Sequence, residues 1–171
     1  MVKKNLVLLG MMAVGKTTLG RMVAKYQGLE FIDTDKHIEK KKMMSIRQIF
    51  KEKGEKFFRM EEKIEILKLL KKKNCVIALG GGAFMDKAIR QYILKNSISI
   101  WLDADINILN KRSMWNHKKR PLLKKGNNFE KFKELYSQRK NIYKLTNHKI
   151  ICDGLTKKNI SEKIATIYGK Y

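Results

Sequence analysis

Residues Gly10 to Thr17 read Gly-Met-Met-Ala-Val-Gly-Lys-Thr, two glycines with four residues between them, followed at once by a lysine and a hydroxyl. Placed after a strand and opening a helix, such a loop turns its backbone N–H groups and the helix N-terminus toward phosphate oxygens. Lys16 then reaches the β and γ phosphates of a nucleotide and Thr17 ligates Mg²⁺. Chance alone rarely assembles this pattern in that context, so phosphate binding is the primary chemistry expected.

A second group follows in Phe31-Ile32-Asp33-Thr34-Asp35, where two carboxylates leave the end of an apolar run. One of them can hold a metal through water while the other accepts a proton from an attacking hydroxyl. The plainer role is helix capping; Asp35 precedes a helical stretch, so capping would be a second role for it, but it accounts for only one of the two acids. Further on, Arg59 and Glu62 lie three residues apart and share a helix face, where Glu62 can hold the Arg59 fork. Taken alone, that spacing describes a surface pair worth a few tenths of a kcal/mol. Val76 to Leu79 then runs into Gly80-Gly81-Gly82, and three glycines in a row cost more chain entropy than a simple turn requires. They imply that a ligand passes close to this backbone.

To position these groups the chain must alternate strands and helices, and its pattern does so. Strands are expected at Asn5 to Leu9, Glu30 to Ile32, Cys75 to Leu79, Ser97 to Leu102 and Lys149 to Cys152. Helical periodicity marks Lys16 to Tyr26, Asp35 to Lys42, Ile46 to Lys73 with a break at Gly54, Asp86 to Lys95, Asp105 to Met114, Phe129 to Tyr143 and Lys157 to Tyr168. This is an α/β chain with a five-stranded parallel sheet. Ser113 to Asn128 is polar and basic without apolar period and reads as a surface loop or lid. No linker or repeat divides the 171 residues, which are expected to form one domain.

Composition narrows the class further. Only Cys75 and Cys152 occur, in no paired motif, and the start has no room for a cleavable signal, which points to the reducing cytoplasm. No apolar run is long enough to span a membrane. The formal charge of +23 is spread over many lysines, mostly on expected solvent faces, so it does not by itself indicate nucleic acid. Of the basic residues 32 are lysines and seven are arginines, and a chain that defaults to Lys keeps Arg where a planar fork must grip carboxylate or phosphate.

The order of phosphate loop, Asp-x-Asp, Gly-Glu-x-x-Phe-Arg (54–59), Gly-Gly-Gly and Arg-Pro-Leu-Leu (120–123) resembles that of shikimate kinases over nearly the whole chain. Ile38-Glu39, Ile46, Ile49-Phe50, and Arg139 with Tyr143 also fit. The resemblance implies a three-layer α/β/α P-loop kinase fold with a mobile lid at about 112–126 and substrate-binding helices at about 35–62. It implies transfer of the γ-phosphoryl group of ATP to the 3-hydroxyl of shikimate, with Mg²⁺, in a monomeric cytoplasmic enzyme of aromatic amino-acid (chorismate) biosynthesis with no nucleic-acid or membrane partner. By the same resemblance Asp35 is the base, Lys16 and Arg120 act in transfer, and Asp33 sits with Thr17 near the metal. ATP is held by Ala13, Val14, Gly15, Lys16, Thr17, Thr18, Arg112 and Arg120, and shikimate by Asp35, Arg59, Gly81 and Arg139. Lys118, Lys119, Lys124 and Lys125 would draw ATP toward the lid.

Three positions depart from the family pattern. Ala13 and Met43 stand where glycine is usual, and Asn141 where proline is; an alanine at 13 strains the loop if that site needs a positive φ. The alternatives are another small-molecule kinase on the same fold, such as a gluconate kinase, and a basic nucleic-acid-binding protein. The Arg59 and Arg139 pair favours a carboxylate substrate over the first.

Overall fold

The runs at 5–9, 75–78 and 97–102 are buried along their length, as strands of a parallel sheet are when helices lie over both faces, while the strands at 30–33 and 148–151 are only partly covered. The computed structural model describes residues 4–114 and 128–171. Its strands are β1 (Asn5–Leu9), β2 (Glu30–Asp33), β3 (Cys75–Ala78), β4 (Ser97–Asp103) and β5 (His148–Ile151). They form one parallel sheet in the order β2-β3-β1-β4-β5. The helices are α1 (Lys16–Gln27), α2 (Thr34–Lys42), α3 (Ile46–Leu70), α4 (Lys87–Asn96), α5 (Ile106–Met114), α6 (Asn128–Tyr143) and α7 (Lys157–Tyr168). α1 packs with α7 and α3 with α4, giving the three-layer arrangement. β1 and β3 are wholly buried, and no described helix is long and apolar enough to cross a membrane.

Strand order decides where a ligand can enter. The chain leaves β1, travels through α1 to β2 at the sheet edge, and returns to fill the gap with β3. The C-terminal ends of β2, β3 and β1 therefore stand side by side, and beyond β1 the order reverses toward β4, the place where parallel α/β sheets open a crevice. At the opposite end the buried Asn5 ties the elements together. Its amide donates to the carbonyls of Leu70 and Lys72 and its Oδ1 accepts from the Cys75 N–H, joining β1 to the turn between α3 and β3.

Several boundaries differ from the sequence expectation for local reasons. α3 does break at Gly54, whose φ of 80° and ψ of 167° lie outside the helical region. It starts with a Ser45/Gln48 capping box and ends at Leu70, three residues early. A 3-10 turn, Ala83–Met85, follows the three glycines and had no sequence signal. The expected loop from Ser113 to Asn128 is helical at its margins. α5 holds Arg112 and Ser113, the latter buried with its hydroxyl donating to the Asn110 carbonyl, and α6 begins at Asn128. The rest of the expected lid, with Lys118, Lys119, Arg120, Pro121, Lys124 and Lys125, lies outside the described residues.

Both residues standing in for glycine take left-handed backbone: φ is 66° at Ala13 and 51° at Met43. Met43 ends α2, its N–H and that of Met44 closing onto the carbonyls of Lys40 and Glu39 in a glycine-type C-cap. Its side chain is 88% exposed, so it contributes little packing to offset the strain. Met43→Gly is expected to stabilise the protein by about 0.5–1 kcal/mol. That is a rise of roughly 2 °C in Tm, readable in a thermal melt. An unchanged or lower Tm would mean that the side chain makes stabilising contacts in solution.

Candidate active site

β1 hands directly to the phosphate loop, and Gly15, in left-handed conformation, caps α1 without any side-chain hydrogen bond to the helix N-terminus. A glycine there brings no capping side chain of its own to the helix N-terminus, an arrangement that suits an anion cradle. Lys16 folds back over the loop, its Nζ donating to the carbonyls of Gly10 (2.9 Å) and Met11 (3.0 Å). Ala13, Gly15, Lys16, Thr17 and Thr18 line one side of a cleft of about 590 Å³. Val14, expected among the loop residues that hold ATP, packs its side chain into the core, leaving only its backbone to the loop.

β2 delivers the two acids to the other side. Thr17 Oγ1 donates to Asp33 Oδ2 at 2.6 Å, and Asp33 Oδ1 accepts from the Lys36 N–H at 3.2 Å. Asp33 is therefore the cap of α2, a role the sequence reading offered to Asp35. The helix starts one residue earlier than the sequence suggests, at Thr34, which puts Asp35 inside its first turn. Freed from capping, Asp35 turns into the cleft. Burial, then the negative charges of Glu62 and Asp33, push its carboxyl up to about 7, against the opposing pull of Lys16.

α3 brings Arg59 and α6 brings Arg139 to the same cleft. Arg59 Nη1 donates to Glu62 Oε2 at 2.6 Å, while its Nε and Nη2 reach Glu55 Oε1 at 3.3 and 3.2 Å. The spacing alone suggested a weak surface pair. Tertiary packing makes it something else, since Glu62 is only 3% exposed, and burial pushes its carboxyl above the ordinary value despite Arg59 and Arg139. Arg139 is 6% exposed. One helical turn further along α6 the buried Tyr143 donates its hydroxyl to the Gly81 carbonyl.

The three glycines each make room for one of these side chains. A Cβ on Gly80 would overlap Asp35 Oδ1, one on Gly81 would sit 3.2 Å from Arg139 Nη1, and one on Gly82 would sit 2.8 Å from Arg59 Nη1. The sequence reading expected a ligand over this backbone; the cleft does pass along it, and the site's own side chains also crowd it. Ile46, Phe50 and Phe58 form an apolar wall of the cleft, which sequence reading had not assigned to the site. Arg112 lines the cleft from the exposed face of α5. Arg120 lies outside the described residues.

A nucleotide cradle at the crevice of a parallel sheet, facing an acid of raised pKa, defines the chain as a P-loop kinase of the small-molecule type. The family model for shikimate kinase matches residues 12–168. A shikimate kinase of Bartonella quintana is 47% identical over 85% of this chain and 69% of its own length. One from Sulfurihydrogenibium is 38% identical over 95% of this chain and 96% of its own. Among solved structures, shikimate kinase from Acinetobacter baumannii in complex with shikimate superposes with a TM-score of 0.93 at 31% identity, covering 98% of this chain and 94% of that one. The chain belongs to the shikimate kinase family.

Proposed function

We propose that the chain transfers the γ-phosphoryl group of ATP to the 3-hydroxyl of shikimate, giving shikimate 3-phosphate and ADP. The observation that carries this reading is the meeting of Asp35, Arg59 and Arg139 around Gly80–Gly82, within one cleft with the phosphate loop. Two guanidinium groups in one small cleft suit a planar carboxylate, which each can grip with paired hydrogen bonds. Asp35 accepts the proton of the attacking hydroxyl as its oxygen bonds to the γ-phosphorus and the bond to ADP breaks. Lys16 leaves the loop carbonyls for the phosphate oxygens, and Ala13, Gly15 and Thr18 with the Val14 backbone complete their cradle. Thr17 Oγ1 and Asp33 Oδ2, hard oxygen donors 2.6 Å apart beside the loop, suit Mg²⁺, Asp33 acting through water. The metal when bound neutralises phosphate charge.

In this reading residues 1–171 form one domain, with a lid at 112–126 carrying Arg120 over the nucleotide and substrate helices at 35–62. The same reading takes the enzyme as a cytoplasmic monomer, its lysines scattered over the chain and not gathered for a nucleic-acid partner. A coupled ADP-release assay with ATP and Mg²⁺ is expected to show turnover that depends on shikimate and is unmoved by gluconate. Equal stimulation by gluconate, or none by shikimate, would overturn the substrate assignment. Salt-sensitive binding to nucleic acid, with shikimate inert, would favour the basic-binder alternative.

A further inference from the structure

The residue between the two acids does not line the cleft, yet it holds the cleft together. Thr34 is fully buried. Its hydroxyl accepts from the Gly80 N–H at 2.9 Å and donates to the Ala78 carbonyl at 3.3 Å. The backbone ladder between β2 and β3 ends at the pair Asp33 and Ala78. Beyond it the chain of β2 turns into α2, whose carbonyls are committed to the helix, while the chain of β3 runs on into the glycines. The Gly80 N–H would otherwise have no ladder partner, and the Thr34 side chain supplies one, adding a rung where the main chain cannot.

That rung sits directly behind the reactive acid. Asp35 follows Thr34 in sequence, and its carboxylate lies so close to the Gly80 backbone that a single methyl group there would overlap it. Glu62 Oε1 approaches the same point, 3.1 Å from where that methyl would be. The distance between α2 and the glycine loop therefore sets where Asp35 stands relative to the phosphate loop, and the Thr34 hydroxyl spans that distance.

We infer that Thr34 is a positioning residue for phosphoryl transfer, its hydroxyl pinning the start of α2 to Gly80 so that Asp35 is held at the reacting end of the cleft. This role rests on the reading of Asp35 as the proton acceptor. Valine has the shape of threonine without the hydroxyl, and would leave the Gly80 N–H buried and unpaired. Small misplacements of a reacting group cost large factors in rate.

Comparing Thr34→Val with Thr34→Ser, by steady-state kinetics and by amide hydrogen exchange at Gly80, tests this role. Thr34→Val is expected to lower kcat by about 10–100-fold with KM for ATP little changed, and to speed Gly80 exchange at least about tenfold. Thr34→Ser, which keeps the hydroxyl, is expected to stay near wild type in both. Thr34→Ala takes the place of valine if that variant does not fold. Wild-type kcat in the hydroxyl-free variant would overturn the inference. So would equal impairment of the serine variant, which would indicate shape, or unprotected Gly80 exchange in the wild type. Exchange is read without substrate, so a failed assignment of shikimate would leave the Gly80 result intact and be seen separately.

Discussion

Asp35→Asn is expected to bind ATP and shikimate, to turn over about 10³-fold more slowly or worse, and to be more stable than the parent at pH 8. The rate loss follows from removing the group proposed to take the hydroxyl proton, a contribution of about 10²–10⁴ where general base catalysis operates. The stability gain follows from the cause that makes Asp35 a useful base. Its carboxyl is raised from 3.8 to about 7 by burial and by Glu62, Asp33 and Glu39, only partly relieved by Lys16. An acid whose folded-state pKa exceeds its unfolded value binds more protons when folded. Its contribution to stability is therefore most favourable below about pH 4, falls as pH rises from there to about 7, and stays low above. Asparagine mimics the protonated acid and removes that loss. The side chain is half-buried and still meets solvent through the cleft, which trims the gain to about 1–2 kcal/mol at pH 8. It should shrink toward zero at pH 4. Thermal melts at the two pH values in metal-free buffer check the sign. Lower stability of Asp35→Asn at pH 8 would mean that the carboxylate is welcome in the folded protein. In the parent, kcat/KM should fall as pH drops below about 7, because the protonated acid cannot accept the substrate's proton.

Replacing Arg59 or Arg139 by lysine is expected to raise KM for shikimate by roughly 10–100-fold while leaving KM for ATP within a few-fold. A guanidinium presents parallel donors to a carboxylate, whereas an ammonium presents a single point of charge. Losing one charge-assisted pair costs about 1.5–3 kcal/mol. The two sites should differ in their side effects. Arg59 is held by Glu62 and Glu55 on its own helix, so a lysine there loosens the buried Glu62 as well and should also lower stability. Arg139 has its fork beside the Gly81 backbone, and its replacement should act mainly on substrate. An analogue of shikimate with a neutral amide in place of the carboxylate should be nearly indifferent to either substitution. If both substrates lose equally, the arginines hold the fold and do not grip the carboxylate.

Much of this cleft was readable from local pattern. The phosphate loop lies between a strand and a helix because Asn5–Leu9 is a buried, mostly aliphatic run and Gly15 takes a backbone conformation that opens α1. Gly54 broke the long helix where a glycine with positive φ must. Asp33, Asp35, Arg59, Gly81 and Arg139 all line one cleft, although nothing in their spacing required it. What local pattern missed concerns burial and neighbours. Glu62 passed for a surface partner, the capping of α2 was offered to Asp35 as a second role when Asp33 performs it, the core packing of Val14 gave no signal, and Thr34 drew no notice between its two acids.

The sequence by itself determined the class of chemistry and the elements that carry it, because a phosphate loop, a strand of buried aliphatics and a helix cap are each written in a few adjacent residues. Only the tertiary structure decided how those pieces act on one another. The order β2-β3-β1 sets three strand ends abreast, so residues far apart in the chain, such as Asp35, Gly80 and Glu62, share one poorly solvated corner. There, desolvation and like charge raise an acid's pKa, and a buried hydroxyl fixes where it stands. Both effects depend on distances through space, which no local pattern encodes.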